Sequence, residues 1–200
     1  MFGKVASKLV GSELNLGLLF TVSVLPDLDL MFFWFLKHRG PTHSLMFVLL
    51  VSLPVIVVYR KKAIPYIVAL LSHSLIGDIY SSGIQFFWPF STDWFFVSTI
   101  SNRTGISVGL ELALFVVCSL VMFVSKDFQR VLVSKTNRLF WLVPFGAVLG
   151  TFFLNFIGYY VEISVLLVIP CFFYIVLFGF AMFGLEIKGG SVVRDQKAGK

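Results

Sequence analysis

Three histidines and three aspartates gather in one short part of this chain. His38, His43 and His73 fall within 36 residues, bracketed by Asp27, Asp29 and Asp78. Neutral imidazole and carboxylate together form a ligand set for Zn²⁺, Mn²⁺ or Fe²⁺. Six such groups suffice for one metal with spare groups for a base and a supporting shell, or for two metals sharing a carboxylate. Each piece also has a plainer reading. Asp27 or Asp29 can cap a helix that follows Pro26, and the run from His38 to His43 can be a solvated turn bent by Gly40-Pro41. His73 and Asp78 lie in a long apolar run, where an unpaired charge is costly. Their spacing of five separates them by about 140° on an ideal helix. They meet only if the helix ends or bulges between them, which Gly77 permits.

The elements that must position these groups are apolar. The 200 residues are 58% hydrophobic, 13% charged and include 24 Phe, with a mean hydropathy of +0.94. A soluble domain of this length cannot bury so much apolar surface, so lipid must cover the excess. The expected fold class is an all-α polytopic transmembrane bundle of six spans, at about 14–36, 44–59, 63–80, 106–124, 139–158 and 163–185. Pro26 interrupts the first, and the second is short for a bilayer. Residues 84–97 (IQFFWPFSTDWFFV) read as an interfacial aromatic flap rather than a span. The organisation is then a region 1–105 carrying the candidate site, further transmembrane helices over 106–185, and a mobile cytoplasmic tail over 186–200. Cys118 and Cys171 read as buried packing residues, with no disulfide or zinc spacing.

Charge sets the orientation. The net charge of +6 comes from short clusters between apolar runs, which speaks for membrane topology and against nucleic acid. Of the 16 Lys and Arg, only Lys37, Arg39 and Arg103 fall on one side of the six-span arrangement. The other thirteen place both termini in the cytoplasm of a multi-pass cell-membrane protein, with the His/Asp cluster at the outward face. Trp34, Trp88 and Trp94 then lie at the outward interface.

At these residues the chain resembles the YdjM-like membrane-bound, metal-dependent hydrolases. The matching strings are Leu25-Pro-Asp-Leu-Asp29, His38-Arg-Gly-Pro-Thr-His-Ser44, Ser72-His73 through Asp78, and Phe87-Trp-Pro-Phe-Ser91, over about residues 20–92. The His73–Asp78 spacing is one residue longer than the form usual in that family, and no histidine precedes His38. The resemblance implies a hydrolytic activity and makes Asp27, Asp29, His38, His43, His73 and Asp78 the metal-site candidates.

The leading reading is an integral-membrane hydrolase using a divalent metal, zinc or a zinc-like ion, to activate water. Asp27, His43 and His73 are the first-choice ligands, and Asp29, His38 and Asp78 the catalytic alternates, one as general base. Lys37 and Arg39 are candidates to bind a phosphate or carboxylate of a lipid or phosphate-ester substrate, or else lipid headgroups. Glu111 reads either as a further site residue or as a helix-initiating acid. Thr42 and Ser44 are supporting or capping candidates, and Asn155 and Glu162 read as interhelical glue and a loop charge. Two rivals stand beside the enzyme: an ion or metal transporter, which needs a polar path to the cytoplasmic face, and a non-catalytic membrane protein whose cluster is structural.

Overall fold

The computed structural model describes residues 1–32, 35–79, 83–95, 105–132, 138–156, 165–188 and 191–194. Trp34, Val97, Arg103, Lys135, Glu162, Lys197 and Lys200 lie outside these residues, as do the side chains of Asn155, Lys188 and Arg194. The described residues are mostly helical, and near the C-terminus Leu185–Lys188 (β1) and Ser191–Arg194 (β2) pair antiparallel.

One unit comprises residues 1–14 and 22–111. Its first helix, α1 (Phe2–Val10), ends at Gly11 in the left-handed conformation, φ 61°, as C-terminal glycines commonly do. Gly3, Ala6 and Ser7 form its buried face and let it pack closely along α4 (Ile64–Ser72). After α2 (Leu16–Ser23), whose residues up to Thr21 belong to the other unit, the chain tightens at Pro26 into a 3₁₀ segment, Leu25–Phe32. That tightening carries Asp27 and Asp29. A second short 3₁₀ turn, Pro41–His43, leads into α3 (Leu45–Tyr59). Ser44 caps α3, accepting the Phe47 N–H at 3.1 Å, and its own hydroxyl donates to the Pro41 carbonyl. The basic turn Arg60–Ala63 joins α3 to α4.

After α4 the helix widens into a π turn over His73–Asp78, with the Ile79 N–H bonding the Ser74 carbonyl five residues back at 3.2 Å. This is the bulge that the His73–Asp78 spacing demands. Over residues 84–95 the aromatic segment forms a loop. Ile84 is buried and pairs with Phe95, while Phe90 is 82% exposed.

The other unit comprises residues 15–21 and 112–200. Within it α7 (Leu139–Phe156) packs on α8 (Val165–Phe183), and α6 (Asp127–Leu132) also packs on α8. Trp141 is fully buried among Met122, Val131, Leu177 and Phe178, with Phe20 against both rings. The helix α5 (Gly105–Val124) spans 20 residues and passes from the first unit into the second.

Among the described residues, one stretch, Leu166–Phe183, is both long and apolar enough to cross a bilayer by length and composition. Val108–Val124 and Leu139–Phe153 are shorter apolar helices. The expected second and third spans are also short: α3 has 15 residues, and α4 has nine before the π turn.

Candidate metal centre

The first unit brings all six sequence candidates together. The His38 and His43 rings lie 5.5 Å apart and the His43 and His73 rings 5.4 Å apart. Neither Asp27 nor Asp29 spends its carboxylate on a helix cap. Both point into the cluster.

Two environments meet at His43, which is fully buried. On its Nδ1 side lies Asp29, itself buried. The Asp29 carboxylate accepts from the Arg39 backbone N–H at 3.1 Å and the Thr42 hydroxyl at 2.8 Å, and pairs with His38 Nδ1 at 2.9 Å. His43 Nδ1 approaches it at 3.4 Å and the Thr42 oxygen at 3.1 Å. Those acceptors favour the tautomer with the proton on Nδ1, leaving the Nε2 lone pair to face the other way. Asp29 thus holds the whole 38–43 turn with one side chain.

On the Nε2 side are Asp27, His73 and Asp78. Asp27 Oδ1 lies 3.5 Å from His43 Nε2 and 3.2 Å from His73 Nε2. Asp78 Oδ2 lies 3.3 and 3.2 Å from the same two nitrogens, while Asp78 Oδ1 pairs with Arg39 Nε at 3.1 Å. His43 Nε2 is buried, with no well-aligned hydrogen bond, and faces Asp78 Oδ2 and Asp27 Oδ1 across ion-pair distances.

The donor set fits a divalent cation. Bonds of about 2.0–2.1 Å in a tetrahedral shell put neighbouring ligand atoms about 3.3 Å apart. The nitrogen–oxygen separations here are 3.2–3.5 Å. The His43 ring carries the matching electrostatics. Burial opposes its charge, but the carboxylates of Asp27, Asp29 and Asp78 outweigh that and raise its pKa to about 11. A divalent cation can take the place of that proton.

A second group within ligand distance, Asp29, His38 and His43, shares the His43 ring with the first group of Asp27, His43 and His73. A neutral imidazole offers one lone pair, so it serves one group as ligand and the other as N–H donor. The hydrogen bonds already on Asp29 favour the Asp27 side for the ion.

The two substrate-binding candidates diverge. Lys37 Nζ sits 4.6 Å from the centroid of the Trp94 ring, tying the 37–40 turn to the aromatic loop by a cation–π contact. Arg39 turns inward to Asp78. Its backbone has φ 63°, a conformation uncommon outside glycine. The strain is held from both ends, since the Arg39 N–H bonds Asp29 and its carbonyl accepts the Gln85 N–H at 3.0 Å. Next to it, a Cβ on Gly40 would lie 2.7 Å from the Lys37 carbonyl oxygen, so only glycine fits. Thr42 is a supporting residue in this geometry and Ser44 a cap. Gln85 is the contact that residue types did not reveal, because it acts through its backbone. Glu111, also in this unit, lies within electrostatic reach of Arg39 and Asp78.

No curated protein and no solved structure matches the chain. The profile of the YdjM inner membrane protein family matches residues 1–184. With that match over most of its length, the chain belongs to the YdjM inner membrane protein family and associates with the lipid bilayer.

Proposed function

We propose that this protein is an integral-membrane metal-dependent hydrolase, with Asp27, His43 and His73 as ligands of one divalent cation. The observation that supports this reading is the buried His43 Nε2 at tetrahedral-edge distance from two carboxylates, with no well-aligned hydrogen bond to either. A zinc-like ion supplies activation of water near neutral pH and stabilises developing negative charge. The chain's own residues do the rest. Asp29 fixes the His43 tautomer and ring direction, the supporting role that carboxylates often play toward ligand histidines. His38, held by Asp29 and 18% exposed, is a positioning residue with a route to solvent. Asp78, anchored through Oδ1 by Arg39, keeps Oδ2 at the cluster as general base. It takes a proton from the attacking water as the new bond to the ester centre forms, and returns it to the departing ester oxygen.

Six crossings with both termini in the cytoplasm and the cluster at the outward rim remain the topology that the charge distribution favours. The short helices α3 and α4 would cross where neighbouring helices or thinned lipid accommodate them.

A second reading has one specific observation in its favour. Asp78 Oδ2 stands as close to both imidazoles as a fourth ligand would, and a closed four-ligand site is structural. Asp78→Asn separates the two. As the base, Asp78 can be replaced with metal retained while hydrolysis of an ester panel falls at least about a hundredfold. As a ligand, its replacement removes the metal. Turnover that is absent with every ester, or that persists in full after chelation, would refute the hydrolase.

A further inference from the structure

We propose that Arg39 is the anion anchor of the substrate, and that the substrate is a phosphate ester whose charged oxygen docks on the outer edge of this guanidinium. The inference deepens the hydrolase reading and rests on it for the site's location.

Three observations converge on Arg39 rather than on Lys37. The first is its uncommon backbone, held at the N–H by Asp29 and at the carbonyl by Gln85. Strain maintained from both ends marks a residue whose placement matters, and such residues cluster at functional sites. The second is the direction of the side chain. Nε is buried against Asp78 Oδ1 at 3.1 Å, yet the side chain keeps 19% exposure. A guanidinium carries two terminal nitrogens beyond Nε, whose paired N–H groups form a planar fork that matches phosphate oxygens in a way an ammonium cannot, and Glu111 is the other acid within electrostatic reach of the group. The third is proximity, since the same Asp78 that holds Arg39 has its other oxygen 3.2–3.3 Å from His43 and His73. An anion on the fork therefore sits one carboxylate away from the cation seat. Lys37 is engaged on Trp94.

The surroundings favour a lipid as the source of the phosphate. The loop bonded to Arg39 through Gln85 exposes Phe87, Phe90 and Phe95, and Phe35 is exposed just before the turn. Apolar aromatic surface of this kind suits acyl chains and the headgroup boundary.

Phenylglyoxal, which modifies guanidinium terminal nitrogens, tests this on the wild-type protein in detergent, with labelled arginines located by peptide mass mapping. Arg39 is expected to label, and dihexanoyl phosphatidic acid to slow its labelling at least tenfold while dihexanoylglycerol does not. Protection by the lipid alone identifies a bilayer source, and equal protection by inorganic phosphate a soluble ester; either supports the anchor. An Arg39 that never labels, or that neither phosphatidic acid nor inorganic phosphate protects, overturns it. Arg39→Lys, which retains a charge for Asp78 but loses the fork, should lose at least tenfold in phosphatidic acid affinity with metal content unchanged. Unchanged affinity, or metal lost together with affinity, assigns Arg39 a structural role instead. Because binding is read rather than turnover, a protein that binds phosphate and hydrolyses nothing defeats only the hydrolase.

Discussion

At Asp29 a single buried carboxylate gathers a backbone N–H, a hydroxyl and two imidazoles, and so decides which nitrogen of His43 carries the proton. Asp29→Asn puts an amide where those donors need an acceptor. Metal affinity, read by calorimetry, should fall about ten- to a hundredfold with the ion still bound at saturation. Asp27→Asn acts on the ligand itself and should cost more. Because the carboxylates around His43 raise its pKa, the metal-free ring is protonated at neutral pH and binding must expel that proton. Metal titrations in buffers of different ionisation heat should therefore show proton release, and affinity should drop as pH falls; pH-independent binding would exclude His43 as ligand. All six imidazole and carboxylate groups were legible in the sequence, because ionisable residues are scarce in an apolar chain. Their division of labour was not. Asp29 and Asp27 have the same side chain two positions apart, and only the backbone of Arg39 and the hydroxyl of Thr42 tell them apart.

Among the elements, the π turn over His73–Asp78 does the most for the site. On an ideal helix a five-residue spacing points the two side chains in different directions, whereas one extra residue per turn brings them onto one face. Removing that extra residue restores an i, i+4 pair, which also shares a face. Deletion of the exposed Leu75 should therefore preserve metal binding, while insertion of an alanine after Leu75 should abolish it. The reverse pattern would show that the turn does not set the convergence. A π bulge is hard to read from sequence since it follows from what its ends must reach, not from local propensity. The Ser44 cap was legible, as Ser before an apolar helical run is a common start. Ser44→Ala should lower stability by about 1 kcal/mol in denaturant unfolding, without loss of metal.

For the whole molecule, hydropathy announced a helical membrane protein, and the family match agrees. The number of crossings was less legible. Apolar length alone carried the first expected span through Pro26, whereas residues 16–32 form α2 and a 3₁₀ segment, and α3 has only 15 residues. Topology is open to direct labelling. With Cys118 and Cys171 replaced by Ala, Thr92→Cys should react with an impermeant maleimide from the outside of intact cells, and Lys61→Cys only after lysis. The opposite pattern would invert the orientation. The central claim is most directly tested by elemental analysis of the purified protein beside His43→Ala and His73→Ala. About one divalent ion per chain in the wild type, lost from both variants that remain folded, is the predicted result. Undiminished metal in both, or none in any preparation, would contradict it.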